Sequence, residues 1–230
     1  MNTPGPVLRP ATSAWSMYRA IVGIGALCAL LIVTVYQTTA ARIRENQARF
    51  LALAVAEVLP AAQSTVAVEL SAEGRLAAAG EAPALPVFLG YSADGELVGA
   101  VVTAQGMGYQ DNIRVLYAYS FELDAIVGFK VLDSKETPGL GDKVEKEPHF
   151  IANFERLDAT LTPDGNALLN PIVTVKQGEK EEPWQLDGIT GATITSEAIG
   201  EILNDSANTW APVLERDSSA FASSEPTEEQ

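Results

Sequence analysis

The chain of 230 residues contains one cysteine, Cys28, and one histidine, His149. A single cysteine excludes a disulfide framework and any cysteine-rich zinc or iron–sulfur site built by this chain alone. A single histidine excludes a multi-histidine metal centre, or haem held by two histidines, within one protomer. Basic side chains are also scarce: 15 Lys and Arg stand against 30 Asp and Glu, a net charge of −15. Nucleic-acid binding depends on Lys and Arg neutralising phosphates, so no nucleic-acid partner is expected. No Walker A loop is present, and G-x-G-x-x-G is absent as well, so direct oxidation of a nicotinamide cofactor by this chain is not expected. What the chain does have is 47% hydrophobic residues, enough to exclude a wholly disordered polypeptide.

The charge is unevenly placed. Residues 1–49 hold Arg9, Arg19, Arg42, Arg44 and Arg49 against Glu45, a net of +4, so the remaining residues carry −19. Between Arg19 and Arg42 lies the uncharged run 20–41, long enough to cross a hydrocarbon core of about 30 Å as a helix. Trp15, Tyr18 and Tyr36 fall where interfacial aromatics sit. A cleaved signal peptide is the alternative, with residues 38–41 as a weak cleavage site. The apolar run exceeds the usual 7–15 residues of such a segment, however, and an uncleaved anchor is the better reading. Cys28 lies inside this run as a small apolar residue. Two arginines precede the run and three follow it, so the positive-inside count leaves its orientation open.

After the anchor, residues 42–59 have apolar positions at helical spacing, and Pro60 stops them. Residues 60–86 are rich in Ala, Pro and Gly and carry a weak strand signal over 65–70. Alternating patterns over 87–91, 97–103, 114–120 and 126–132 predict antiparallel strands, the first two joined by a turn at 93–96. A helix is predicted over 148–157, a short strand over 172–175, and an amphipathic helix from about Ser196 to Leu214. The fold class is therefore α+β: an antiparallel sheet with flanking helices, preceded by one transmembrane helix. The expected division is an N-terminal segment (1–19), the anchor (20–41), a linker helix and variable region (42–84), a main domain (85–214) and a disordered acidic tail (215–230).

Chemistry concentrates in Asp187-Gly188-Ile189-Thr190-Gly191-Ala192-Thr193-Ile194-Thr195, immediately before the last helix. One reading is structural: Thr195 or Ser196 caps the helix and Glu197 complements its dipole. The other is that small residues and free N–H groups at a helix start receive a phosphate. A second segment, Lys135-Glu136-Thr137-Pro138-Gly139-Leu140-Gly141-Asp142-Lys143, reads as a Pro-Gly turn. A third, Gly106-Met107-Gly108-Tyr109, is a glycine–aromatic turn. His149 is expected at the surface or half buried, Trp184 in packing or near the site, and residues 179–182 in a solvated turn.

The first segment resembles the D-x-x-[ST]-G-A-T flavinylation motif of the FMN-binding domain family. The second resembles that family's E-T-P-G-L-G loop, and the third its glycine–aromatic turn. The family includes the G subunit of the Rnf ion-translocating electron-transport complex and the C subunit of sodium-pumping NADH:quinone reductase. The E-T-P-G-L-G-D-K wording, the length and the single span resemble the former more. The resemblance implies FMN held covalently by a phosphoester to Thr193, with Thr195 a lesser rival acceptor. It implies that Thr190, Gly191 and Ala192 shape the phosphate site, and that Glu136, Thr137, Leu140 and Gly141 approach the cofactor. Asp187 would belong to the recognition signal of a flavin transferase, and no residue would be catalytic alone. The implied partners are the other membrane and cytoplasmic subunits of an Rnf-type complex, the transferase during maturation, and membrane lipid. The implied location is the bacterial inner membrane, with the flavin domain on the periplasmic side. A non-enzymatic, membrane-anchored binding or assembly module, whose T-G-A-T is only a helix cap, is the alternative from a different class.

Overall fold

A computed structural model describes residues 14–71, 74–79 and 85–221. The chain divides into an N-terminal unit, Met1–Phe50, and a body, Leu51–Gln230. Helix α1 (Ala14–Val58) carries both the apolar run and the segment expected as a separate helix over 42–59. An 18-residue window of it has a mean hydropathy of 2.2, and none of that window is buried by protein. By length and composition it is able to cross a membrane. Thr34, Thr38 and Thr39 donate their hydroxyls to carbonyls one turn back, at 2.7, 2.9 and 2.8 Å, which leaves no bare hydroxyl among these three. The helix ends two residues before Pro60, because the residue preceding a proline is pushed out of the helical region.

The body is built on a seven-stranded sheet in the order β2-β1-β3-β4-β5-β6-β7, antiparallel throughout. Its strands are β1 (Ser64–Leu70), β2 (Leu76–Ala78), β3 (Val87–Tyr91), β4 (Leu97–Met107), β5 (Asn112–Ser120), β6 (Ala125–Asp133) and β7 (Leu157–Asp158). The centre of the sheet is covered on both faces, so β4 over 99–102 and β5 over 115–119 have no charged or amide side chain. Ala100, Val102, Val115 and Tyr117 point into the main core, whereas Val101, Leu116 and Ala118 meet Ala54, Val55, Val58 and Leu59 on the other side. On that second side Gly128 is required, since a Cβ there would fall on the Val58 carbonyl.

The main core packs the sheet against helix α3 (Thr193–Phe221) through Ile199, Ile202, Leu203, Ala207, Ala211 and Leu214. A short helix α2 (Pro148–Ile151) followed by a 3₁₀ turn (Ala152–Glu155) replaces the longer helix expected over 148–157. Phe154 stacks on Phe129 at 4.2 Å and Phe150 meets both rings edge-on, which fixes this segment on the sheet. A second, parallel pair joins β8 (Val173–Val175) to β9 (Gln185–Asp187), a strand too short to be read from its sequence.

Helix α3 differs from expectation at both ends. It starts at Thr193 instead of near Ser196, and it continues to Phe221 instead of giving way to a disordered tail at 215. The extension is held in part by Asp217, only 2% exposed, and by the Tyr91 hydroxyl donating to the Phe221 carbonyl at 3.2 Å. The Asp217 carboxylate accepts the Leu76 N–H at 2.9 Å and faces Arg75 and Arg216, pinning the helix end to the edge strand β2. The expected tail beyond Phe221 and the first 13 residues lie outside the described residues.

Candidate functional site

Three segments far apart in sequence meet around one cavity of about 310 Å³. The β4–β5 turn brings Tyr109, and the loop after β6 brings Thr137, Leu140 and Gly141. The start of α3 and the residues before it bring Gly191, Ala192, Thr193, Ile194 and Thr195. Each segment has its own local cause. Gly108 N–H donates to the Asp111 carbonyl at 2.9 Å to close the β4–β5 turn. In the second loop Gly139 adopts φ +80° and donates its N–H to Asp142 at 2.6 Å. The Lys146 ammonium beside Asp142 holds that carboxyl below the usual range. The third segment turns at Gly191, φ +83°, and then enters the helix.

Glu136 ties the three together. It does not line the cavity but sits behind it, 6% exposed. Its carboxylate accepts the Gln110 N–H at 2.9 Å from the first segment and the Thr195 hydroxyl at 2.8 Å from the third. Lys135 to Asp111 at 2.7 Å and Thr137 to Gln110 at 3.1 Å add two further stitches between the first and second segments.

The two threonines that the sequence offers as acceptors are thereby separated. Thr195 is 3% exposed and its hydroxyl is committed to Glu136. Thr193 is exposed at the first helical position, and among the described residues its hydroxyl has no hydrogen-bond partner. The N–H groups of Thr193, Ile194 and Thr195 are likewise without backbone or side-chain acceptors among the described residues. Three open donors at the start of a 29-residue helix form an anion site with the dipole aligned behind it.

A cation stands at the same place. A Cβ at Gly191 would lie 3.7 Å from Lys143 Nζ, so the ammonium sits directly over that glycine. Among the described residues Lys143 is in no ion pair. Lys143 closes the E-T-P-G-L-G-D-K segment, and nothing local in the sequence signals its position over Gly191. Tyr109, Leu140 and Ile194, 65%, 52% and 56% exposed, make the mouth of the cavity apolar. An apolar mouth, open N–H donors and one lysine fit a flat aromatic ring carried on a phosphate.

Thr190 and Asp187 do not reach this cavity. Thr190 lines a second one of about 360 Å³ on the other flank, with Lys176, Gln177 and Glu179, and Thr193 borders both. On that flank the backbone from 187 to 190 is held at every residue. Asn153 accepts the Asp187 N–H at 3.0 Å and donates to the Asp187 carbonyl at 3.1 Å. His149 Nε2–H donates to the Gly188 carbonyl at 3.2 Å. Ser196 Oγ accepts the Ile189 N–H at 3.2 Å, and Gln177 Oε1 accepts the Thr190 N–H at 3.0 Å. His149 is half buried, as expected, but it has this further task. The cluster 179–182 is more than a solvated turn: Lys180 donates to Asn153 Oδ1 at 3.1 Å, and burial pulls its ammonium pKa down. Trp184 is half buried and lines neither cavity.

Residues 108–208 match the model of the FMN-binding domain family, and they contain all three segments of the site. Two solved structures share the fold. The C subunit of the Na(+)-translocating NADH-quinone reductase from Parabacteroides distasonis is 21% identical, with a TM-score of 0.53 over 71% of this chain and 79% of that one. The NqrC protein of Shewanella oneidensis is 18% identical, with a TM-score of 0.54 over 80% of this chain and all of that one. The chain thus carries an FMN-binding domain over residues 108–208, in a fold shared with both structures.

Sequence relatives narrow the class. The G subunit of the Na(+)-translocating ferredoxin:NAD(+) oxidoreductase complex of Acetobacterium woodii is 31% identical over 83% of this chain and 87% of that protein. The G subunit of the ion-translocating oxidoreductase complex of Methanosarcina acetivorans is 29% identical over 82% of this chain and 89% of that protein. The chain belongs to the family of G subunits of ion-translocating oxidoreductase complexes.

Proposed function

We propose that the chain is the membrane-anchored flavoprotein subunit of an Rnf-type complex, with FMN esterified to the Thr193 hydroxyl. The observation that carries the acceptor is the contrast between an exposed, unpartnered Thr193 and a buried Thr195 bonded to Glu136. A phosphoester needs an alcohol, and the Thr193 hydroxyl is the one that reaches solvent beside open N–H donors. A flavin transferase would make the bond, and the covalent tether would then keep the cofactor from being lost to solvent.

When bound, FMN supplies the one-electron redox chemistry of the protein. The chain's own residues bind and orient. Thr193, Ile194 and Thr195 N–H groups and Lys143 hold the phosphate's charge, and Gly191 lets the backbone approach it. Tyr109, Leu140 and Ile194 offer the apolar surface for the ring. Glu136 stays behind the cavity, where it fixes the spacing of the three segments. The acidic body disfavours added negative charge near the flavin and lowers its reduction potential. In this reading the protein relays electrons between other cofactors of the assembly and does not catalyse the overall reaction alone.

The apolar part of α1 anchors the protein in the inner membrane in a single pass, with the flavin domain on the periplasmic side. The test has two parts. Full-length protein co-expressed with a flavin transferase is expected to keep fluorescent flavin through denaturing electrophoresis. A reporter fused at the C-terminus is expected to be active only in the periplasm. Colourless protein despite active transferase contradicts the flavoprotein reading, and a cytoplasmic reporter signal contradicts the orientation.

A further inference from the structure

We propose that Asp187 is a positioning residue: its carboxylate holds the turn at Gln177-Gly178, and through Gln177 it sets the Thr190–Gly191 backbone on which Thr193 stands. This rests on Thr193 as the flavin acceptor and gives Asp187 a task inside the folded protein. The resemblance implied instead that Asp187 is recognised by the transferase.

The geometry is a short relay. The Asp187 carboxylate accepts the Gly178 N–H at 2.6 Å. Gly178 has φ +82°, and the turn is closed by Glu179 N–H to the Lys176 carbonyl at 2.9 Å. That turn presents Gln177, whose Oε1 accepts the Thr190 N–H at 3.0 Å. Among the described residues no other acceptor serves the Thr190 N–H. The relay therefore fixes the residue just before the left-handed Gly191.

Asp187 does not need its side chain to stay in place. Its backbone is bonded on both sides by Asn153 and lies opposite Val175 in the parallel pair. The side chain is half buried and turned to the 176–179 turn. A short acceptor is what this place requires. Asparagine keeps an oxygen at the same reach, and alanine has none.

Transfer of a phosphoryl group to a hydroxyl depends strongly on where that hydroxyl is held, so a loosened loop slows attachment without touching the reacting atoms. Losing one charge-assisted hydrogen bond in the relay corresponds to about a tenfold change in an equilibrium or rate. Gln177 lies ten residues before Asp187, outside the D-x-x-T-G-A-T segment, which makes it the discriminating position.

The experiment uses the full chain with D187A, D187N, Q177A and D187A/Q177A variants. One arm co-expresses each with a flavin transferase and follows flavin attachment over time by intact mass. The other arm measures amide hydrogen exchange at Thr190 in protein made without transferase. The proposal expects attachment about tenfold slower in D187A and in Q177A, with the double variant no slower than D187A. It expects D187N to stay near the wild-type rate. Thr190 protection is expected to fall about tenfold in D187A and Q177A and to hold in D187N. Direct reading of Asp187 by the transferase gives the opposite pattern. Q177A then attaches flavin at the wild-type rate, D187N is as slow as D187A, and Thr190 protection is unchanged; any one of these overturns the proposal. If wild-type protein itself gains no flavin, the acceptor assignment fails, while the exchange arm still decides whether Asp187 controls the loop.

Discussion

On one flank of residues 187–195 the backbone from Asp187 to Thr190 is met at each residue by a side chain from elsewhere: Asn153, His149, Ser196 or Gln177. On the other flank, facing Tyr109 and Leu140, three successive N–H groups and the Thr193 hydroxyl are left open under Lys143. A segment with open donors on all sides would be mobile, and a segment closed on all sides would have nothing to offer. In the proposed function, rigidity behind and open donors in front together make Thr193 the presented nucleophile. Unsatisfied polar groups are tolerated here because they face an open cavity where water reaches them.

The largest effect comes from removing the one threonine hydroxyl lining the open side that has no hydrogen-bond partner among the described residues. Thr193→Ala is expected to abolish the covalent flavin while leaving the unfolding midpoint near wild type, since the hydroxyl makes no hydrogen bond to the described protein. Thr195→Val is expected to keep the flavin and lose stability, because it strands a buried Glu136 oxygen. If the two results were exchanged, the contrast between the hydroxyls would be wrong.

The closed side is broken most sharply at Asn153. Its amide satisfies both backbone groups of Asp187, the Phe150 carbonyl and Lys180, all from a position only 4% exposed. Asn153→Ala is expected to cost about 3 kcal/mol in urea unfolding. A change within experimental error would mean that the clamp is ornamental.

The far end of α3 supplies a control. Asp217→Ala removes the buried carboxylate that pins the helix to β2, with an expected cost of about 2 kcal/mol and no effect on flavin attachment. The hydrogen bond from Arg216, then the Leu76 N–H and the charge of Arg75, hold the Asp217 carboxyl below its ordinary pKa. A depressed carboxyl stabilises the fold fully above the ordinary carboxylate range and loses that contribution as pH falls through its lowered value. Unfolding measured from about pH 6 downward, across the ordinary carboxylate range, should show a loss in wild type that is smaller in the alanine variant.

The smallest effect belongs to Lys143, which is half exposed and screened by solvent. Lys143→Met is expected to slow flavin attachment by about threefold at low salt and by less at high salt, as for a single partly screened charge. A salt-independent rate would remove Lys143 from the phosphate site.

How far the sequence carried this picture depends on the range of each interaction. The strands β3 to β6 and the apolar stripe of α3 were legible, because period and burial act through nearest neighbours. The glycine turns were legible for the same reason, and so was the pairing of motifs around one site once they resembled a known family. What was not legible is every bond that crosses the chain. Asn153 to Asp187 spans 34 residues and Glu136 to Thr195 spans 59, and nothing local to Asn153 or Glu136 signals the partner. Glu136, expected near the cofactor, also ties the segments together from behind the cavity, a task its sequence does not signal. The stretch from 215 looked unfolded because Ser and Glu dominate it. The helix persists there because long-range contacts, Asp217 with Leu76, Glu215 with Tyr119 and Phe221 with Tyr91, offset poor local propensity.

The acceptor is decided by the mass of the peptide that contains both Thr193 and Thr195, taken from full-length protein matured with a flavin transferase and fragmented to place the modification. An FMN-sized addition on Thr193 and none on Thr195 is the expected result. An addition on Thr195, or an unmodified peptide from cells with active transferase, would contradict it.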